Sequence, residues 1–305
     1  MATYVVQRTL QMIVVIFGVV TVTFFAVRLV PGDPALLMEP PGTAESVLKQ
    51  TRERLGTDKP LLVQYWTFLQ GLPGGDLGTS FRGNQPVAGR VLDGLPNTFA
   101  LGIVAMVFTT ILSFGIGIVA ALKPNSLFDR ISLVFVAIAQ STPSFWLGVI
   151  FVLLFSIRLR WLPAIDMESW KSFVLPALTL TISLMPLLIR AVRQSFIETM
   201  GEGFIRSARA RGLSESQIVG VHAMKVAAIP LITLVGLQAG YVLGGAVVIE
   251  SIFNWPGIGN MALLAIQQRD FPMVQGTVLA IAIVFTLINF LVDLSYAALD
   301  PRVKF

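Results

Sequence analysis

Side chains able to do covalent or metal chemistry are scarce in this sequence. There is one histidine, His222, and no cysteine among 305 residues. Thiol nucleophiles, disulfides and thiolate metal sites are therefore excluded, and no histidine cluster can form. A nucleotide-phosphate loop needs a lysine after its glycine run, and "GGDLGTSF" has the glycines without the lysine. What the chain does concentrate is positive charge. The stretch "FIRSARARGLSESQ", residues 204–217, holds Arg206, Arg209 and Arg211 in a chain only 13% charged. The chemistry on offer there is docking to an anionic or grooved partner, not bond cleavage.

The elements that must position this stretch are apolar. The chain is 55% hydrophobic with mean hydropathy +0.78, too apolar for a soluble domain. A bilayer crossing needs roughly 20 apolar residues. Six charge-free windows approach or exceed that length: Thr9–Val27, Gly94–Leu122, Ile131–Ile157, Ser172–Ile189, Val226–Ile249 and Phe271–Val292. The expectation is an all-α polytopic membrane protein, one domain over 1–305. The fourth window is the shortest and holds Pro176 and Pro186, which predicts a span inside a bundle that is kinked or extended by its flanking turns. The first window reads as an uncleaved helix, because "RLVPGDP" follows it and not a small-residue cleavage site.

Basic residues give the orientation. With the N-terminus inside, eleven Lys and Arg fall in inner segments, the last two being Arg302 and Lys304. Five fall in short outer segments, and six more in a long outer segment, 30–96, which is left out because long loops translocate whatever their charge. Both termini and the 190–225 loop are therefore expected in the cytoplasm. Loop charge accounts for the net charge of +5 without a nucleic-acid partner.

Within the 190–225 loop, residues 204–211 predict two helical turns, with Phe204, Ile205 and Ala208 toward one face and Arg206 and Arg209 toward another. Gly212 should end the helix in a left-handed conformation. Ser214 and Gln217 form the pattern of a capping box opening the next helix. Such a basic stub can anchor in lipid headgroups or dock in a protein groove, and its composition leaves both open.

The other segments also allow two readings each. In 30–96, "TAESVLKQTRERLG" predicts a helix capped by Thr43 and ended by Gly56. "KPLLVQYWTFLQG" predicts a second helix with Pro60 at its first position, and the whole segment serves as a lid or as a receiving surface. The hairpin with Asn254, Trp255, Pro256 and Gly257 is either an interfacial anchor or a re-entrant gate. Gly236, Gly240 and Gly244 set one small face on span five, for packing within the subunit, against a second subunit or along a path. No intramembrane acid–base array of the carrier type is evident.

Taken together, the short helix, the glycine and the rising helix resemble the coupling loop of ABC importer permeases. That family's pattern is Glu-Ala-Ala, three residues, Gly, nine residues, Ile-x-Leu-Pro. Gly212 and Ala208 fit it, while Arg206 and Ser207 replace Glu-Ala, His222 the isoleucine and Lys225 the proline. The departures are those of the dipeptide/oligopeptide branch, which "RSARARGLSESQIVGVHAMKVAAIPLITLVGLQ" resembles. So do "LVPGDPA", "LGTDKPLLVQYW", "GDLGTSF", "FNWPGIG", "RDFPMVQG" and "LVDLSYAALDPRVKF", in the family's order. Gly203 departs, standing where the branch often has an acidic residue. The resemblance implies a type I importer permease, the first of two homologous permease subunits, in the cytoplasmic membrane. Its partners would be that second permease, two cytoplasmic ATP-binding subunits holding ATP and Mg, an external solute-binding protein and membrane lipid. The chain itself would need no cofactor. Phe204, Ile205, Arg206, Ala208, Arg209 and Gly212 would dock on an ATPase, and the cargo would be short peptides, with glutathione, nickel chelates or heme as alternatives.

Overall fold

The computed structural model describes residues 2–30, 32–164 and 169–299; Pro31 of "LVPGDPA" and the basic residues Arg302 and Lys304 lie outside them. Thirteen α-helices follow in chain order among the described residues. They are α1 Ala2–Leu29, α2 Pro34–Met38, α3 Glu45–Leu55, α4 Leu61–Gly71, α5 Val87–Leu122 and α6 Leu127–Ser141. Then come α7 Ser144–Phe151, α8 Val174–Met200, α9 Gly203–Ala210, α10 Glu215–Gln217, α11 Met224–Ile252, α12 Ile258–Gln267 and α13 Phe271–Leu299. Among the described residues, five helices are long and apolar enough to cross a membrane, and six when a bent pair counts as one. The all-helical reading of the sequence holds.

The third window is not a single rod. Helices α6 and α7 meet at a bend of 100°. The cause is Pro143, which disfavours helical backbone in the residue before it, and Thr142 sits extended at φ −95°, ψ 119°. The window Ser172–Ile189 is extended, as one of its two readings expected, because α8 runs on to Met200. Its membrane window is 61% buried, the highest of the spans, as its prolines suggested.

The chain forms two compact units. The first joins Met1–Phe99 to Asn254–Leu287. Its core holds Val87, Val91, Ile258, Ala265, Met273 and Val274. Gly276 allows the close approach of Val87, whose side chain occupies the space a Cβ would need. Asp270 caps α13, accepting from the Met273 N–H at 3.3 Å, from the Phe81 N–H at 3.1 Å and from the Ser80 hydroxyl. Gly56 ends α3 in the left-handed conformation, φ +68°. Its N-cap, however, is Ala44; the Thr43 hydroxyl donates instead to the Pro40 carbonyl, 2.7 Å. Pro60 stands one position before α4, because its ψ of 142° is extended. Helix α5 starts at Val87 and continues through Pro96, so the last turns of the 30–96 segment belong to a 36-residue helix.

The second unit comprises Ala100–Phe253 and, among the described residues, Ile288–Leu299. Helix α8 packs against α6, α7 and α11. The Gln238 side-chain amide of α11 donates to the Leu184 carbonyl of α8, 2.9 Å. Gly117 of α5 lies so close to α8 that a Cβ there would meet Val192 at 2.7 Å. Asp129 in the first turn of α6 takes a bidentate pair from Arg193 of α8, Nε at 2.6 Å and Nη2 at 2.8 Å, with its own side chain 1% exposed.

Candidate coupling site and its companion hairpin

The stub forms as its sequence dictates. After α8 ends at Met200, α9 occupies Gly203–Ala210 and Gly212 turns the chain at φ +81°. Nothing lies within 4 Å of the position a Gly212 Cβ would take, so only backbone preference requires the glycine. Ser214 accepts from the Gln217 N–H while the Gln217 side chain accepts from the Ser214 N–H, a complete capping box. A wide helical turn over Ile218–Ala223, carrying His222, then leads into α11.

Burial divides the stub sharply. Ile205 and Ala208 are fully buried, in one cluster with Leu188, Val192 and Phe196 of α8 and with Ile218, Ala223 and Ala227 toward α11. Phe204 does not share that face as the sequence suggested; it is 39% exposed. In a two-turn helix seated between two others, the i, i+3 pair 205/208 takes the inner side and displaces residue 204 outward. Arg206, Arg209, Ala210 and Arg211 are exposed beside it. Arg209 reaches across the glycine turn to Glu215, Nε to Oε1 2.7 Å and Nη2 to Oε2 3.2 Å. That hydrogen bond holds the Glu215 carboxyl below its usual range and raises Arg209 in return. Arg206 and Arg211 have no carboxylate partner among the described residues. Phe204 and Arg206 on α9, and Arg211 just after it, are thus left exposed and uncommitted.

The hairpin is closed where the stub is open. Trp255 is only 2% exposed, and its indole N–H donates to the Asn97 carbonyl, 3.0 Å. Asn97 returns a side-chain N–H to the Pro256 carbonyl, 3.0 Å, and the Thr98 hydroxyl accepts from the Ile258 N–H, 2.9 Å. Asn254 takes φ +47°, which asparagine tolerates, and Gly257 closes the turn with an N–H to the Trp255 carbonyl, 2.8 Å. An indole enclosed in protein is not available to lipid headgroups.

The glycine face of α11 is partly used. A Cβ at Gly236 would meet Val292 at 2.7 Å, Gly240 is buried, and Gly244 faces open space. Among the described residues no three His, Cys, Asp or Glu side chains converge as a metal site.

Residues 113–305 match the family model described as "Binding-protein-dependent transport system inner membrane component", and residues 1–102 match its N-terminal counterpart. This chain belongs to that family. The permease is 37% identical, over all 305 residues of both chains, to the glutathione transport system permease protein GsiC of Escherichia coli strain K12. It has the same identity and coverage with GsiC of Shigella flexneri serotype 5b. Among solved structures it resembles the inward-facing MetNI methionine ABC transporter. There the TM-scores are 0.55 and 0.58, at 19% and 20% identity, over 69% of this chain and 96% of that one. The likeness supports the type I permease fold. The permease is the multi-pass membrane subunit of an ABC importer and not its ATPase.

Proposed function

We propose that this permease subunit imports short peptides by alternating access and that its 203–212 stub is the lever an ATPase partner pushes. The reading is carried by the complete burial of Ile205 and Ala208 against α8 and toward α11, with Phe204, Arg206 and Arg211 left outward. A push on the outer side is then passed to two packed helices together, since close-packed contacts yield little before they break. The bend between α6 and α7 gives the neighbouring span a place to change angle.

The partners in this reading are a second permease, two ATP-binding subunits that hold ATP and Mg, and an external binding protein. Both termini and the 190–225 loop lie in the cytoplasm, on the lysine and arginine count. Glutathione is itself a short peptide, and the two relatives named for it, at 37% identity, favour it as the specific cargo.

Because the chain lacks cysteine, one can be placed at will. A cysteine at position 204 should cross-link to an ATPase subunit bearing a cysteine in its docking groove. It should also resist impermeant reagents in intact cells, while a cysteine at position 50 should label. Labelling at 204 from outside would overturn the orientation and the docking together. Uptake of labelled glutathione against labelled dipeptides, with the binding protein present, decides the cargo.

A further inference from the structure

The turns of α8 that seat the stub are also joined to two other helices. Successive side chains on a helix point roughly 100° apart. Val192 and Phe196 therefore share a side, and both lie in the cluster that buries Ile205 and Ala208. Ser195 points to one flank and donates its hydroxyl to the Ala227 carbonyl of α11, 3.1 Å. Arg193 points to the other flank, where its guanidinium grips Asp129 of α6 through Nε and Nη2.

Asp129 is the third residue of α6, after the N-cap Ser126. Besides Arg193 it accepts from the Asn125 N–H, 2.8 Å, so the same carboxylate closes the turn between α5 and α6, where Asn125 takes φ +65°. Further along this seam α6 meets α8 through Val136 against Met185 and Ile189, all buried. Apolar contact is non-directional, so it holds two helices together without fixing how far one has slid along the other. The two-pronged pair does fix it, because guanidinium and carboxylate match in one plane and at one height. Stability alone does not call for such a pair. Two apolar residues of similar volume are often as stable or more so, since buried charges must first lose their water. The register it imposes is the better reason for burying Asp129.

We propose that Asp129 and Arg193 are positioning residues of the transport cycle, pinning α6 to α8 so that a displacement of the stub reaches the bent pair α6–α7 and not α8 alone. Both act through the helices they join. This role rests on the stub being a lever, and it adds where the push goes. Without the pin, α8 slides along its apolar seam and the bend at Pro143 stays where it was.

The test is made on the assembled importer in lipid nanodiscs, with partner subunits free of cysteine. Spin labels on Val134→Cys of α6 and Leu187→Cys of α8, both exposed positions, report the distance between the two helices by double electron resonance. With the ion pair intact, that distance should be the same without nucleotide and with nucleotide trapped by vanadate. Asp129→Leu combined with Arg193→Met, an apolar pair, should assemble with an unfolding midpoint close to wild type. In it the distance should shift or broaden on trapping. Labelled glutathione or dipeptide, whichever the wild type imports, should then enter at roughly one fifth or less per ATP hydrolysed. Arg193→Lys keeps the charge and loses the fork, so it should fall between the two. Should the double variant fail to assemble, Arg193→Lys decides alone by the same two readings. A distance that moves with the pair intact, a distance that stays fixed in the variants, or normal uptake per ATP in them would each overturn the proposal. Failure of the lever reading shows elsewhere, as loss of the cross-link at position 204 in the wild type, which the pin leaves untouched.

Discussion

The stub at 203–212 and the hairpin at 254–260 are both short turns carrying one large aromatic ring, yet they are built in opposite ways. Trp255 is 2% exposed and its N–H is bonded to the chain, whereas Phe204 is 39% exposed with two unpaired arginines beside it. In the hairpin the polar groups of Asn97, Thr98 and Asn260 are directed at the turn itself. In the stub Ile205 and Ala208 are packed inward and Arg209 is paired with Glu215, while Phe204, Arg206 and Arg211 are left outward. A turn completed by its own chain positions helices. A turn with an aromatic and cations left over has a surface for something else.

That contrast can be broken most forcefully at the two rings. Trp255→Ala removes a buried ring and its hydrogen bond and should cost about 3–5 kcal/mol, read as a lower unfolding midpoint and poor complex yield. Phe204→Ala should leave the midpoint within about 0.5 kcal/mol of wild type while lowering uptake, because an exposed ring contributes little to the fold. Equal effects on stability would erase the distinction. A smaller effect is expected on the glycine face, where Gly236→Leu overpacks against Val292 at about 1–3 kcal/mol and Gly244→Leu, in open space, should not. Comparing the thermal midpoints of the two variants checks this.

Smallest is the pH response of the turn. Arg209 holds the Glu215 carboxyl below its ordinary value of 4.5, so the pair contributes above that value and is lost as pH falls through the depressed one. Glu215 is fully exposed, so the effect is confined to the turn. Amide exchange across residues 209–215 should match that of Glu215→Gln in strong acid and be slower than it at neutral pH. No difference at neutral pH would mean the pair does not order the turn.

Local signals in the sequence were legible, and long-range ones were not. Gly212, Gly56 and the Ser214–Gln217 box follow from backbone conformation and capping, which need only neighbours. The six apolar windows follow from composition. The bend at Pro143 was written in the sequence, but averaging apolarity over a window hides a single proline. The hairpin of Trp255 stayed open between an interfacial anchor and a re-entrant gate because its partner Asn97 is 158 residues away. The Asp129–Arg193 pair joins positions 64 apart, and no spacing rule connects them. Phe204 was misplaced for a different reason: a two-turn helix has too few residues for its pattern to say which side is inner, and α8 and α11 decide that.

The central claim is that the stub acts by being held at one angle between the permease helices and a partner. Gly212→Val tests it most directly, because the added side chain meets nothing within 4 Å and the strain falls on the backbone alone, φ being +81°. That strain is about 1–2 kcal/mol, enough to shift the turn without unfolding the protein. The measurement is ATP hydrolysis by the reconstituted importer with and without cargo-loaded binding protein. The account predicts normal assembly and basal hydrolysis, with the stimulation by binding protein lost. Normal stimulation in Gly212→Val, together with its loss in a variant with Arg206 and Arg211 both changed to Gln, would contradict it and make the stub a charge contact, not a lever.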